Sequence, residues 1–217
     1  MIEIYCERPS AGARAIVNRI RELGGSARRI RQYTPGALQW GRGGGNKYEE
    51  LRRLFQAGVP VPRHHQAGAA PDNFNEPWLG RTFHHTQARD LLYPGRADFY
   101  VEKIDTVREH RIHVFDQEVI RVQTKQPTPG EQQHPWIRSA SSGWTLVARP
   151  DLTALVPRGA RTIAKQAVAA LGYEFGAVDL AVKTDGGIIV WEVNTQPGMG
   201  DGTADVYARI LMQKYGG

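Results

Sequence analysis

The sequence predicts an α+β fold in which antiparallel hairpins pack on helices. Three observations carry that expectation. Two β-rich stretches, 111–123 and 175–193, turn back on themselves at short polar loops. Two segments, 13–23 and 160–171, keep apolar residues at helical spacing and stop at glycine. Between them, near residue 98, the texture changes from helical to strand-rich.

Residues 1–7 read as a short strand, followed by a helix whose face carries Ala13, Ile16, Val17, Ile20 and Leu23 as far as Gly24-Gly25. The stretch through Pro35, Trp40 and Gly43-Gly44-Gly45 reads as a hinge or linker. Asn46 and Glu49 have capping-box spacing and open a helix that is expected to bury Tyr48, Leu51, Leu54 and Phe55 and to end at Gly58. Val59-Pro60-Val61-Pro62 then leads out extended. Strands are predicted at 99–101, 111–115 and 119–123, the last two joined across Asp116-Gln117. Residues 125–143 are rich in proline, glutamine and serine and read as a long loop that could close over a site. Pro157 begins a helix with Ala160, Ile163, Ala164, Ala167, Val168 and Leu171 on one face. A hairpin (175–182, 187–193) and a helix through Val206, Ile210 and Leu211 close the chain.

Composition narrows the classes. No apolar run approaches the roughly 20 residues of a membrane helix, and the N-terminus, with Glu3 and no long apolar core, does not read as a signal peptide. The single cysteine, Cys6, excludes an internal disulfide and a multi-cysteine zinc site, and a reducing cytoplasm fits it. The net charge is +6, and Arg14, Arg19, Arg21, Arg28, Arg29 and Arg31 crowd one segment. Such a field attracts nucleotides, acidic peptides or nucleic acid alike. The pairs His64-His65 and His84-His85 make no metal clamp, since neighbours on a strand point to opposite sides. Ser139, Ser141, Ser142 and Cys6 lack a nucleophile's context.

The stretch FGAVDLAVKTDGGIIVWEVNTQPGMG carries the chemistry. A two-residue loop at Asp185-Gly186 sets Thr184 opposite Gly187. Val178 then opposes Val193, Leu180 opposes Trp191 and Val182 opposes Ile189, an apolar face for a helix. The other face sets Asp179 opposite Glu192, with Asn194 two residues further along. Facing carboxylates destabilise a sheet. A divalent cation offsets the repulsion, because Mg²⁺ takes one or two carboxylates and completes its shell with phosphate oxygens and water. The alternative is a solvent-facing polar side with one carboxylate paired to Lys or Arg.

These residues resemble the ATP-grasp superfamily, in which a strand Asp and a Glu-x-Asn on the next strand hold the magnesium of Mg-ATP. The resemblance implies an ATP-grasp fold with two α+β lobes and nucleotide bound between antiparallel sheets, and it assigns Asp179, Glu192 and Asn194 to Mg²⁺, or to Mn²⁺ in its place. DFYVEKIDTVREHRIHVFDQEVIRVQTK is similar to the family's hinge strand and hairpin. By that match Glu102, Lys103 and Ile104 receive adenine, Glu109 sits near the ribose, Arg111 points into the reaction centre and Lys125 faces phosphate. For Arg111 a structural salt bridge is the alternative, and for Lys125 a solvated surface position. In NKYEELRRLFQAGVPVP, Lys47 matches a phosphate-contacting lysine. Arg81 stands where the family has a strand lysine, and no glycine lies between Arg81 and Leu92, a departure from the usual glycine-rich phosphate loop.

The resemblance covers about residues 46–211. It divides the chain into a short N-terminal segment, 1–45, and an ATP-grasp domain, 46–217, whose smaller lobe is 46–100 and larger lobe 101–217. The implied activity is ATP-dependent carboxylate–amine ligation through an acylphosphate, with Arg111 and Arg138 gripping the acyl group, as in the RimK-like peptide-ligase branch. The substrates implied are an amino acid, peptide or protein. Two other readings stay open: an ATP-grasp phosphotransferase, and a nucleic-acid-binding protein using the basic N-terminal helix, although no nucleic-acid motif accompanies it.

Overall fold

The computed structural model describes residues 1–41, 45–67, 78–84, 97–134, 137–200 and 202–216. In chain order its first elements are β1 (Ile2–Tyr5), α1 (Ala11–Glu22), β2 (Ala27–Ile30), β3 (Leu38–Gln39), α2 (Lys47–Gln56), β4 (His64–Gln66), β5 (Trp78–Arg81) and β6 (Phe99–Glu102). There follow β7 (Thr106–Phe115), β8 (Glu118–Pro127), β9 (Trp144–Val147), α3 (Pro150–Thr153), α4 (Ala160–Ala170), β10 (Phe175–Lys183), β11 (Ile188–Asn194) and α5 (Thr203–Tyr215). Among the described residues no helix is long and apolar enough to cross a membrane.

Contacts group these elements into two units, residues 1–44 with 194–217 and residues 45–193. In the first, β1 lies between β2 and β3 in a parallel sheet, and α1 packs on α5. Ser10 caps α1 by accepting the Ala13 N–H and also accepts the Trp40 indole N–H at 3.0 Å. Trp40 and Tyr207 meet edge to face in the buried centre. The division expected from the sequence is therefore shifted, because α5, expected in the larger lobe, groups with the N-terminal elements. The buried face of α5 carries Thr203, Tyr207, Ala208 and Leu211, so Val206 and Ile210 lie beside it. Two of the crowded arginines, Arg28 and Arg29, stand on strand β2 rather than on the basic helix. The basic field is partly neutralised: Arg19 pairs with Asp205 and Glu22, and Arg28 with Glu3.

The second unit holds two antiparallel sheets, β4-β6-β5 and β11-β10-β7-β8-β9. The turn joining β7 to β8 has positive φ at both Asp116 and Gln117, the geometry that matches the twist of a tight hairpin. On one side of the large sheet Ile112, Val114, Val178, Leu180, Val190 and Val193 form a core with Ala164, Ala167 and Val168 of α4. The alternation that buries these residues turns Glu109, Arg111 and His113 of β7, Gln123 and Lys125 of β8 and Asp179 of β10 to the opposite side. Helix α2 covers the small sheet with Leu51, against Phe99 and Val101. Phe55, expected in that core, is 66% exposed and lies edge-on to His64. The stretch 125–143 is only in part a loop: Lys125 to Pro127 belong to β8, and Pro127 pairs with Trp144 at the start of β9.

Candidate active site

Strand pairing assembles the polar side of the large sheet. Residues directly opposite across a ladder share a face, and Arg111 on β7 lies opposite both Asp179 on β10 and Gln123 on β8. The Arg111 guanidinium grips Asp179 with two hydrogen bonds, Nε to Oδ1 at 2.6 Å and Nη2 to Oδ2 at 2.7 Å. Such a planar fork is the strongest pairing available to a buried carboxylate. Burial alone would raise the Asp179 pKa, but Arg111 overcomes it and, with Lys125, holds the group at about 2. His113, next along the same face of β7, donates through Nε2 to Gln123 Oε1 at 3.0 Å. Its burial pushes the imidazole pKa down to about 4, so the ring is neutral.

Glu192 on β11 is held ionised mainly by Lys47, whose Nζ is 3.1 Å from Oε2. Asp179 works against this, raising the Glu192 pKa, so the two carboxylates feel one another's charge. Lys47 itself is desolvated, yet Glu192 and Glu50 keep its pKa above the ordinary lysine value. The geometry thus unites the two sequence alternatives. The carboxylates stand on neighbouring strands, close enough for the charge of Asp179 to act on Glu192, and each is also paired, Asp179 to arginine in a buried setting and Glu192 to lysine in a partly buried one.

The route to that arrangement differs from the two-residue loop expected at Asp185-Gly186. Lys183 N–H donates to Gly187 O and Gly186 N–H to Lys183 O, with Gly186 at φ +84°. The loop therefore has three residues, Thr184 to Gly186, which moves the pairing next to the turn by one position. A second offset lies within β11. Val190 and Val193 both face the α4 core, although three steps along a regular strand would send them to opposite sides. One extra residue between them, a β-bulge, restores the parity beyond it. Glu192 consequently returns to the side of Asp179, while Ile189 and Trp191, expected against a helix, lie outside that core.

Around this pair stand further basic groups. Lys125 Nζ is 2.8 Å from Glu109 Oε2, so it is not a solvated surface lysine, and Glu109 is already engaged. Arg138 Nη1 lies 3.9 Å from Glu109 Oε1. The Arg138 guanidinium also donates to Thr106 O and sits over the Trp144 ring, 5.1 Å from its centroid. Arg81 ends β5 opposite Phe99, and the Lys47 N–H donates to Phe83 O just beyond it. Glu102 ends β6, where Arg63 holds it with two hydrogen bonds of 3.1 and 3.0 Å. Lys103 and Ile104 lie in the connection from β6 to β7, which passes from the small sheet to the large one. Asn194 is the last residue of β11. Most of the segment between Arg81 and Leu92, the place of the family's phosphate loop, and His85 with it, lies outside the described residues.

Sequence reasoning missed Glu50. It is buried on α2, accepts the Val193 N–H through Oε1 at 2.8 Å and has Lys47 Nζ 3.5 Å from Oε2. Burial pushes its pKa up against the pull of Lys47. A detectable signal existed, for Glu50 shares the apolar stripe of Leu51 and Leu54, where a lone acid is out of place.

The donor chemistry fits a hard divalent cation. Among the described residues no three His, Cys, Asp or Glu side chains cluster as a metal site. Magnesium bound with a nucleotide does not require three, since one or two carboxylates and phosphate oxygens suffice. Asp179 and Glu192 supply two ionised carboxylates from adjacent strands.

No family model matches the chain, and no curated protein matches its sequence. Solved structures do. The ATP-grasp ligase PsnB complexed with a minimal precursor is similar at a TM-score of 0.66 and 12% identity, over 98% of this chain and 97% of that one. The macrocyclase MdnC from Microcystis aeruginosa MRC, bound with precursor peptide MdnA, gives 0.61 and 10%, over 99% and 100%. D-alanine–D-alanine ligase from Bacillus anthracis gives 0.57 and 12%, over 98% and 99%. At these identities the likeness establishes the fold, and the chain has the ATP-grasp fold over nearly its whole length.

Proposed function

We propose that the chain is an ATP-dependent carboxylate–amine ligase that joins an amino acid, peptide or protein through an acylphosphate. The observation that carries this reading is the pair Asp179 and Glu192. They are ionised on neighbouring strands of an ATP-grasp fold, one countered by Arg111 and the other by Lys47. PsnB has been seen with its minimal precursor, Mg and ADP, which supports the same nucleotide, the same metal and a peptide substrate here.

In this reading Asp179, Glu192 and the carboxamide of Asn194 hold Mg²⁺, which supplies Lewis-acid stabilisation of phosphate charge. The rest falls to the chain's own groups. Glu102, Lys103 and Ile104, in the connection between the sheets, offer backbone to adenine. Lys47, Arg81 and Lys125 neutralise the phosphates, and Glu109 orients Lys125 as well as lying toward the ribose. A substrate carboxylate attacks the γ-phosphorus, ADP leaves, and an amine then displaces phosphate from the acylphosphate to give the amide. Arg138, and Arg111 with its fork already set on Asp179, present positive charge to the acyl oxygens. Preorganised cations of this kind stabilise charge where it develops, the main source of rate in phosphoryl transfer.

Calorimetric titration with a non-hydrolysable ATP analogue, with and without Mg²⁺, tests the site. Magnesium-dependent binding that Glu192→Gln weakens supports it, and absence of binding to the wild-type protein sinks it. With ATP and candidate peptides, mass spectrometry must then find a product equal to the joined substrates less one water. A phosphorylated product in its place would make the protein a phosphotransferase.

A further inference from the structure

We infer that Glu50 is a positioning residue that holds two members of the candidate site at once, the bulged end of β11 and the ammonium of Lys47. This rests on the ligase reading of the site and deepens it.

A glutamate is almost never fully buried without partners, because removing a polar or charged group from water costs free energy that only good partners offset. The Glu50 side chain is 8% exposed. Its partners are specific. Oε1 receives the backbone N–H of Val193 at 2.8 Å, the residue directly after Glu192. Oε2 faces Lys47 Nζ at 3.5 Å, and that same Nζ is 3.1 Å from Glu192. Glu50, Lys47 and Glu192 thus form a carboxylate–ammonium–carboxylate chain, closed on itself through the backbone at residues 192 and 193.

The place of β11 in the sheet explains why a side chain is needed there. It is the edge strand, with β10 on one side only, so some of its backbone N–H groups point away from the ladder, as that of Val190 does toward Pro60 O, and a buried N–H without an acceptor is destabilising. Glu50 supplies the acceptor at Val193. It lies one turn from Lys47 on α2, so the same helix that carries the phosphate-facing ammonium also fixes the strand that carries Glu192. Without Glu50 this end of β11 loses its anchor, Lys47 loses one of two carboxylates, and Glu192 is free to leave the side of Asp179.

The test compares wild type, Glu50→Ala and Glu50→Gln in the full chain, titrated with AMPPNP in the presence and absence of Mg²⁺. Glutamine keeps the carbonyl acceptor for Val193 but not the charge. Glu50→Ala is expected to lose about tenfold or more of the affinity that Mg²⁺ adds, the scale of one charge-assisted hydrogen bond, with metal-free binding changed less. Glu50→Gln should recover most of that loss. Amide hydrogen exchange at Val193 should be about tenfold faster in Glu50→Ala and near wild type in Glu50→Gln. If Glu50→Ala does not fold, Glu50→Asp, one methylene too short to reach both partners, replaces it in both measurements. A folded Glu50→Ala with unchanged magnesium dependence overturns the inference. So does a loss shared equally by both binding conditions that Glu50→Gln does not recover. In either case wild-type binding persists and the ligase reading stands, whereas absence of wild-type binding overturns both.

Discussion

At the scale of single residues, the buried charges decide how the site responds to change. Arg111 and Asp179 are 13% and 8% exposed, so deleting the guanidinium strands a carboxylate away from water. Arg111→Ala is expected to cost about 3–5 kcal/mol in urea unfolding, the range for breaking a buried ion pair from one side. A loss below about 1 kcal/mol would show that water reaches Asp179 and that the pair belongs with surface bridges. The histidines respond to acid instead. Burial lowers the pKa of both His110 and His113 to about 4 from the ordinary 6.5, with Arg108 adding to the effect at His110. Between those values the unfolded chain binds protons that the native state refuses, so stability is full above pH 6.5 and falls as pH drops toward 4. Each histidine contributes a slope of at most about 1.4 kcal/mol per pH unit. Melting temperatures should be level above that window and decline within it, while replacing both histidines by glutamine flattens the decline. An unchanged slope in the double variant would mean that neither imidazole is buried neutral. Asp179 belongs to a separate window, because its depressed pKa withdraws stability only below its ordinary 3.8.

At the scale of elements, the hairpin of β10 and β11 shows what the sequence discloses and what it hides. Gly176 on β10 lies where the core has no room. A Cβ placed there would stand 2.6 Å from Val193 Cγ1 and 3.1 Å from Val168 Cγ2. Gly176→Ala should therefore destabilise the protein by about 1–3 kcal/mol, the usual cost of overpacking, through displacement of β11 from α4. Unfolding midpoints equal to wild type would show that strand and helix can part at no cost. The acids Asp179 and Glu192 were legible as partners because a turn stood between two β-branched runs. The loop length was not, since Asp185-Gly186 suits a two-residue turn as well as the three-residue loop that forms. Nor was the bulge, because Ile188, Ile189, Val190 and Trp191 are all apolar, and an unbroken apolar run carries no parity. The longer loop shifts the pairing near the turn by one position, and the extra residue that puts Val190 and Val193 on one face shifts it back. The buried stripe of helix α4 was legible because its apolar residues fall on one face between polar ones, although the helix begins at Ala160 and not at Pro157. Glu50 escaped because capping and apolar spacing account for α2 without it.

At the scale of the whole molecule, short strands and distant pairings were the least legible. Strand β3 has two residues and β2 carries paired arginines at its centre, so neither shows an apolar alternation. Their parallel pairing to β1 leaves no turn in the sequence to announce it. The grouping of α5 with α1 joins opposite ends of the chain, a fact that no local pattern encodes. That grouping makes its own prediction. Tyr207 is fully buried, with its ring 5.8 Å from that of Trp40 and 82° to it, and Trp40 in turn bonds Ser10 at the start of α1. Removing the Tyr207 ring leaves a cavity in the smaller unit, at about 3–5 kcal/mol for a large aromatic truncated to alanine. Because the larger unit has its own core of α4 against the large sheet, the loss should be local. Hydrogen exchange should show the β1 amides losing protection in Tyr207→Ala, while the β7 and β10 amides keep most of theirs. Equal loss in both sets would mean that the two units unfold as one cooperative body, and protection unchanged in both would remove Tyr207 from the core.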